Sequence, residues 1–149
     1  LPPKRALHRG CWRLRMTRYP PVPEQPEVDA DFGIAPHVDT TFFTLLLQDA
    51  AGLTIFSHTR GCWIQAPVVP GAFVVNSGEL MKQWTNDRYL SVRHFANNDA
   101  SESRYSIPFF YNAAADFPME CLPTCHDADN PPKYPTISYN QSQAVAQGE

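Results

Sequence analysis

Apolar and polar residues alternate along much of this chain, the pattern of strands half-buried in a sheet. Trp12, Leu14 and Met16 alternate with Arg13, Arg15 and Thr17 before the breaker Tyr19-Pro20-Pro21. Residues 20–33 hold four prolines, several acids and Gly33, and read as an irregular loop. Further strands are expected over 41–48, 53–57, 62–65, 72–76, 91–97 and 104–111. Turn signals separate them: Asp49 to Gly52, Arg60-Gly61, Pro70-Gly71, Asn86-Asp87 and Asn97 to Ser101. Only Glu79 to Trp84 has a helical look, and from Asp116 onward the chain is polar and broken by prolines. Short strands at intervals of about ten residues predict an all-β antiparallel sandwich or barrel with few short helices.

Proline usage sharpens this picture. Of 15 prolines, seven precede His37 and six follow Arg104, so only Pro67 and Pro70 interrupt the stretch between them. The middle of the chain is therefore the regular structure, and the flanks are not. A length of 149 residues suits one domain. Its most apolar runs, such as Phe42 to Leu47, are far too short to span a bilayer, so no membrane segment is expected.

Charge excludes one class of partner and raises one question. A net charge of −3 gives no electrostatic case for nucleic acid. Yet Lys4, Arg5, Arg9, Arg13, Arg15 and Arg18 are half of all 12 basic residues, and no acid occurs before Glu24. A transit peptide would also be rich in serine, but the first serine is Ser57, so an ordinary basic surface is the better reading. The four cysteines, with no secretory apolar segment, read as reduced thiols in a cytoplasmic protein. Cys121, Cys125 and His126 lack a second ligand pair at zinc-site spacing.

Three short patterns carry chemistry. In His37-Val38-Asp39, residues i and i+2 of an extended chain project from one face, so imidazole and carboxylate can converge. His94 shares a strand face with Val92 and Ala96, where it is either a hydrogen-bonded core histidine or a third ligand. Two histidines and one carboxylate form the facial triad of non-haem Fe(II), with positions left open for exogenous ligands. Arg104 and Ser106 likewise share a face. If that face is internal, the guanidinium needs an anion, because an unpaired buried charge costs several kcal/mol. If it is an edge, Arg104 lies in solvent.

The order His37-x-Asp39, His94, Arg104-x-Ser106 resembles the 2-oxoglutarate/Fe(II)-dependent oxygenases of the isopenicillin N synthase-like group. So do Thr44 to Asp49, Gly61-Cys62-Trp63-Ile64, Pro70 to Glu79, Trp84-Thr85-Asn86 and the run from Arg104 to Phe110. Leu14 to Pro21 resembles the family's strand entering the barrel, and the likeness spans about residues 12 to 111. It implies a double-stranded β-helix, or jelly-roll. It further implies that His37, Asp39 and His94 hold Fe(II), while Arg104, Ser106 and Tyr19 bind 2-oxoglutarate. Such enzymes consume O2 and convert 2-oxoglutarate to succinate and CO2 while oxidising a second, small molecule, with ascorbate as a possible stimulant. Arg15, Phe95 and Phe110 are the candidates near that substrate. Thr17 stands where the family commonly has Asn, and Glu79 where many relatives have Asp.

The resemblance also recasts the organisation of the chain. Residues 1–11 become a truncated N-terminal flank, 12–115 the oxygenase domain, and 116–149 a tail packed on the barrel. If Tyr19 faces the pocket, so do Arg15 and Thr17, and Trp12, Leu14 and Met16 point outward. That apolar outer face then calls for a missing N-terminal half or self-association. Two alternatives stay open: an Fe(II) oxidase of the same superfamily that needs no 2-oxoglutarate, and a catalytically idle jelly-roll binding module.

Overall fold

The computed structural model describes residues 4–21, 33–97 and 101–147. The loop expected over 20–33 and the turn expected over 97–101 lie largely outside them. Two antiparallel sheets form a jelly-roll. In the five-stranded sheet, β1 (Gly10–Leu14) and β2 (Thr17–Tyr19) share the long β9 (Arg104–Ala114), which then pairs with β4 (Phe43–Gln48) and, beyond it, β7 (Val74–Ser77). The second sheet runs β3 (Ile34–His37), β8 (His94–Ala96), β5 (Leu53–Ser57), β6 (Cys62–Gln65).

The expected runs at 53–57 and 62–65 match β5 and β6 residue for residue, as the run at 79–84 matches helix α2 (Glu79–Trp84). The first predicted strand is in fact two, β1 and β2, with Arg15 and Met16 between them. The backbone N–H of Arg15 still donates to Pro108 there (3.0 Å), so the parity of inward and outward residues carries across the break. β3 has no counterpart in the sequence reading, because Pro36 removes a backbone donor. Its register shifts between Ile34 and His37, and it pairs only with β8, at the border of its sheet, where a proline is tolerated.

Two terminal helices depart from the sequence reading. Helix α1 (Lys4–His8) forms directly after Pro2-Pro3, a position where prolines cost no helical hydrogen bond. It is part of the body rather than a flank: Ala6 is completely buried with Phe42, Leu80, Trp84, Ala113 and Met119. The Leu7 carbonyl also accepts the Tyr111 hydroxyl at 2.9 Å. Helix α3 (Tyr139–Gln147) has a signal that hydrophobic periodicity does not reveal. Ser138 Oγ accepts from the Gln141 N–H (3.3 Å), and Gln141 Oε1 accepts from the Ser138 N–H (2.8 Å), a reciprocal capping box.

The segment between these ends is tied to the turn after α2. Asn86 and Asp87 adopt positive φ (52° and 69°), a conformation short polar residues tolerate. Asn86 Nδ2 donates to the carbonyls of Cys125 and Pro131, and its Oδ1 accepts from the Lys133 N–H. Asp87 takes the Tyr134 hydroxyl and the Lys133 ammonium, which hold its carboxyl below the usual carboxylate range. All four cysteines are free thiols. No described helix is long and apolar enough to cross a membrane.

Trp84 centres the larger apolar cluster. It is 2% exposed, meets Phe42 edge-on at 5.2 Å, and its carbonyl accepts from the Leu122 N–H. Trp84→Ala is expected to cost about 3–5 kcal/mol through lost transfer energy and a residual cavity. Urea unfolding followed by far-UV circular dichroism should show a correspondingly lower midpoint.

Candidate functional site

The pairing of β3 with β8 sets His37 directly opposite His94, with ring centroids 4.3 Å apart. Asp39 follows two residues after His37 and turns between the sheets. One nitrogen of each ring and one Asp39 oxygen lie within 4.8 Å of one another. Asp39 Oδ1 is 3.7 Å from His37 Nε2 and 3.8 Å from His94 Nε2.

Backbone carbonyls set which ring nitrogen faces inward. His37 Nδ1 lies 2.8 Å from the Ala35 carbonyl, and His94 Nδ1 lies 2.9 Å from that of Val92. A carbonyl only accepts, so each Nδ1 carries a proton, and Nε2 is the nitrogen whose lone pair a metal would take. The carboxylate is oriented with equal care. Asp39 Oδ2 accepts from Thr44 Oγ1 at 2.6 Å and from Asn76 Nδ2 at 2.8 Å, which leaves Oδ1 toward the imidazoles. Neither Thr44 nor Asn76 figures among the site residues read from the sequence. Both are uncharged and sit on strands distant in sequence, and only their position marks them.

Helix α2 fixes the same turn through its backbone. The Glu79 N–H donates to the Asp39 carbonyl (2.9 Å) and the Leu80 N–H to that of Thr41 (3.2 Å). Gly78 allows this approach: a Cβ there would stand 2.2 Å from the Thr41 oxygen and 2.7 Å from that of Asp39. Glu79 in turn accepts a short hydrogen bond from the Ser91 hydroxyl, and Ser77 Oγ donates to the Leu90 carbonyl. The run from Asn76 to Glu79 therefore holds both the Asp39 turn and the lead-in to His94.

The cavity beside this cluster lies between the two sheets and has a volume of about 110 Å3. Arg15, Thr17, Tyr19, Arg104 and Ser106 line it together with the three clustered residues. β9 is an inner strand, so Arg104 is 1% exposed rather than at a solvent edge. Its Nε donates to the Ala50 carbonyl (3.2 Å), its Nη2 to Gln48 Oε1 (3.1 Å), and its plane lies over the Tyr19 ring at 4.7 Å. Nη1 is buried without a hydrogen-bond partner. Gly52, at φ 139°, lets the chain pass the guanidinium, since a Cβ there would sit 2.9 Å from Arg104 Nε. A neutral scaffold around a full cation, with one guanidinium nitrogen unspent, is a site for an anion. Ser106 is also buried, and it pairs across the sheet with Thr17 on one side and Gln48 on the other.

The sequence profile of the 2OG-Fe(II) oxygenase superfamily matches residues 4–113. The chain belongs to the 2-oxoglutarate/Fe(II) oxygenases. A 2-oxoglutarate-Fe(II) type oxidoreductase, hxnY of Emericella nidulans, is 42% identical over 130 residues, covering 87% of this chain and 37% of that protein. Gibberellin 3-beta-dioxygenase 2 of Arabidopsis thaliana is 38% identical over 124 residues, 83% of this chain and 35% of that one. A full-length Neurospora crassa protein, solved in complex with alpha-KG, superposes with a TM-score of 0.83 at 28% identity over 97% of this chain and 47% of that chain. The chain thus spans less than half the length of each of these relatives.

For an oxygenase of this superfamily the residues present fit the implied groups. Two neutral imidazoles and one carboxylate on one side of a point suit Fe(II), and the unspent donor of Arg104 suits a carboxylate of 2-oxoglutarate. Phe110 lines the cavity, as does Arg15. Phe95 does not: it alternates with His94 and Ala96, and its ring packs edge-on against Trp63 at 5.0 Å. The expectation that Phe95 meets substrate is therefore corrected, because strand parity turns it to the opposite face. Trp12, Leu14 and Met16 are exposed at 66%, 53% and 78%, the outward parity expected of them.

The hydrogen bonds to Asp39 Oδ2 give a direct test. Thr44→Val and Asn76→Leu each remove one donor without removing a ligand, and each is expected to weaken metal affinity about 10–100-fold. Thr44→Ser should retain it. Anaerobic calorimetric titration with Fe(II) measures this, with His94→Ala as the reference for a lost ligand.

Proposed function

We propose that this chain carries the catalytic centre of a 2-oxoglutarate-dependent Fe(II) dioxygenase that oxidises a small organic molecule by hydroxylation, desaturation or a related reaction at a C–H bond. His37, Asp39 and His94 hold the metal, and Arg104, Ser106 and Tyr19 hold the 2-oxo acid. The observation that carries the reading is one cavity with a three-donor cluster on one side and a buried, unsatisfied guanidinium on another. When bound there, iron with 2-oxoglutarate and O2 supplies an oxidant, with succinate and CO2 as co-products.

The chain's own residues have separable tasks. His37 and His94 turn Nε2 toward the metal position because Ala35 and Val92 hold the Nδ1 protons. Asp39 offers one oxygen because Thr44 and Asn76 occupy the other. Three protein donors leave the remaining positions for the 2-oxo acid and O2. Arg104 pairs with the far carboxylate of that acid, the Ser106 hydroxyl donates to it, and Tyr19 braces the guanidinium through its ring face. Leu46, Leu53, Ile34 and Phe110 exclude water from the space between. An idle binding module would have no use for a carboxylate oriented so closely toward two imidazoles.

Around this centre we infer a cytoplasmic setting, supported by the four free thiols, and further polypeptide over the outer face of the five-stranded sheet, supported by exposed Trp12, Leu14, Met16 and Val75. That polypeptide is either the rest of a longer chain or a second copy of this one.

Supplied with Fe(II), ascorbate and 2-oxoglutarate, the protein is expected to form succinate and consume O2. Arg104→Gln should raise the 2-oxoglutarate concentration for half-maximal turnover by at least about tenfold, the energy scale of one charged hydrogen bond. His94→Ala should abolish turnover. O2 uptake that is indifferent to 2-oxoglutarate would replace the reading with that of an Fe(II) oxidase needing no 2-oxo acid.

A further inference from the structure

His94 is held less directly than Asp39. Its ring is aimed by the Val92 carbonyl, and Val92 lies in the segment 90–93, which leads into β8 without belonging to a strand. A segment outside the sheet ladders must be placed by contacts from elsewhere. Three hydrogen bonds reach it from the corner between β7 and α2. Ser77 Oγ donates to the Leu90 carbonyl (2.7 Å), the Ser77 carbonyl accepts from the Val92 N–H (3.3 Å), and Glu79 Oε1 accepts from the hydroxyl of buried Ser91. From the β5 side, the Phe56 N–H donates to the Arg93 carbonyl (2.8 Å), and His58 Nε2 lies 3.4 Å from the Ser91 carbonyl.

Glu79 is the charged acceptor in this bracing, and it acts at both of its ends. Its backbone N–H donates to the Asp39 carbonyl (2.9 Å), while its carboxylate takes the Ser91 hydroxyl. Two metal-site residues far apart in sequence are thereby referenced to one residue: Asp39 through a peptide, His94 through Ser91 and Val92. Simpler roles do not account for the second contact. An acid in the first turn of α2 complements the helix dipole, and Glu79 Oε2 accepts from the Lys82 ammonium at 3.2 Å. Neither role calls for a buried serine. A hydroxyl donating to a carboxylate is roughly twice as strong as a neutral hydrogen bond, which suits the placing of a segment that lacks a ladder of its own.

We propose that Glu79 is a positioning residue of the metal centre. Its carboxylate, acting through Ser91, fixes the Val92 carbonyl and so the ring of His94 relative to Asp39. This rests on the oxygenase reading of the site and deepens it, because it names a residue that touches neither metal nor substrate yet sets the geometry between two ligands.

The test reads the two histidines separately. In protein saturated with redox-inert Zn(II), 1H–15N NMR detects the Nδ1–H of His37 and of His94, and both are expected to be protected from exchange. Calorimetric titration of the same samples gives the Zn(II) affinity. Ser91→Ala and Glu79→Ala should each speed exchange at His94 but not at His37. Each should weaken Zn(II) binding about 10–100-fold, the range for groups that orient a metal-bound histidine. Glu79→Gln keeps an acceptor oxygen at the same reach and should retain most of the affinity. The double variant should lose no more than either single one, because both remove one contact. Lys82→Met should leave both readouts unchanged. Unaltered exchange and affinity in Ser91→Ala, additive losses in the double variant, or equal disturbance of His37 and His94 would overturn the proposal. If the unsubstituted protein binds no Zn(II), the oxygenase reading falls and takes this inference with it. Binding that Ser91→Ala and Glu79→Ala leave intact removes this inference alone.

Discussion

The second oxygen of Asp39 governs the geometry of this site. A carboxylate buried between two sheets must have its lone pairs satisfied. Here Oδ2 receives donors from β4 and β7 of one sheet, while Oδ1 turns to the two histidines of the other. The carboxylate therefore joins the sheets at the point where a metal would bind. Backbone bonds from the first turn of α2 to the Asp39–Thr41 carbonyls hold the same turn a second way. Rigid support of this kind lets three ligands from different segments converge without the metal having to order them.

The anion site obeys the same rule with the sign reversed. Arg104 is 1% exposed, and its partners among the described residues are a carbonyl, an amide oxygen and an aromatic face rather than a carboxylate. An internal acid would have stabilised the empty protein and removed the reason to bind a ligand. Neutral acceptors satisfy part of the guanidinium and leave its charge available. Metal cluster and guanidinium thus divide one cavity into two poles of stored, unmet bonding capacity.

Much of this is legible in the sequence, for reasons that differ by residue. His37-x-Asp39 and Arg104-x-Ser106 are readable because a two-residue period keeps chemical groups on one face, and the same parity correctly sends Trp12, Leu14 and Met16 outward. That parity also puts Phe95 on the side opposite His94, against Trp63, so proximity to a ligand in sequence is no guide to the cavity. Thr44 and Asn76 are illegible as site residues because their role is purely tertiary: nothing local says that both meet one oxygen. Pro36 hides β3. A polar sequence hides helix α3, though its Ser138–Gln141 capping box is a local signal.

The cavity's two poles also differ in what they depend on. The metal side is cross-braced by hydrogen bonds from four elements, all inside the fold. The side carrying Arg15 rests on the junction between β1 and β2, where Arg15 and Met16 lie outside both strands and are exposed. Any polypeptide that settles on Trp12, Leu14 and Met16 bears on the strand junction that carries Arg15 at the cavity wall. The Arg15 wall of the cavity is therefore more exposed to whatever covers that outer face than the Asp39 cluster is.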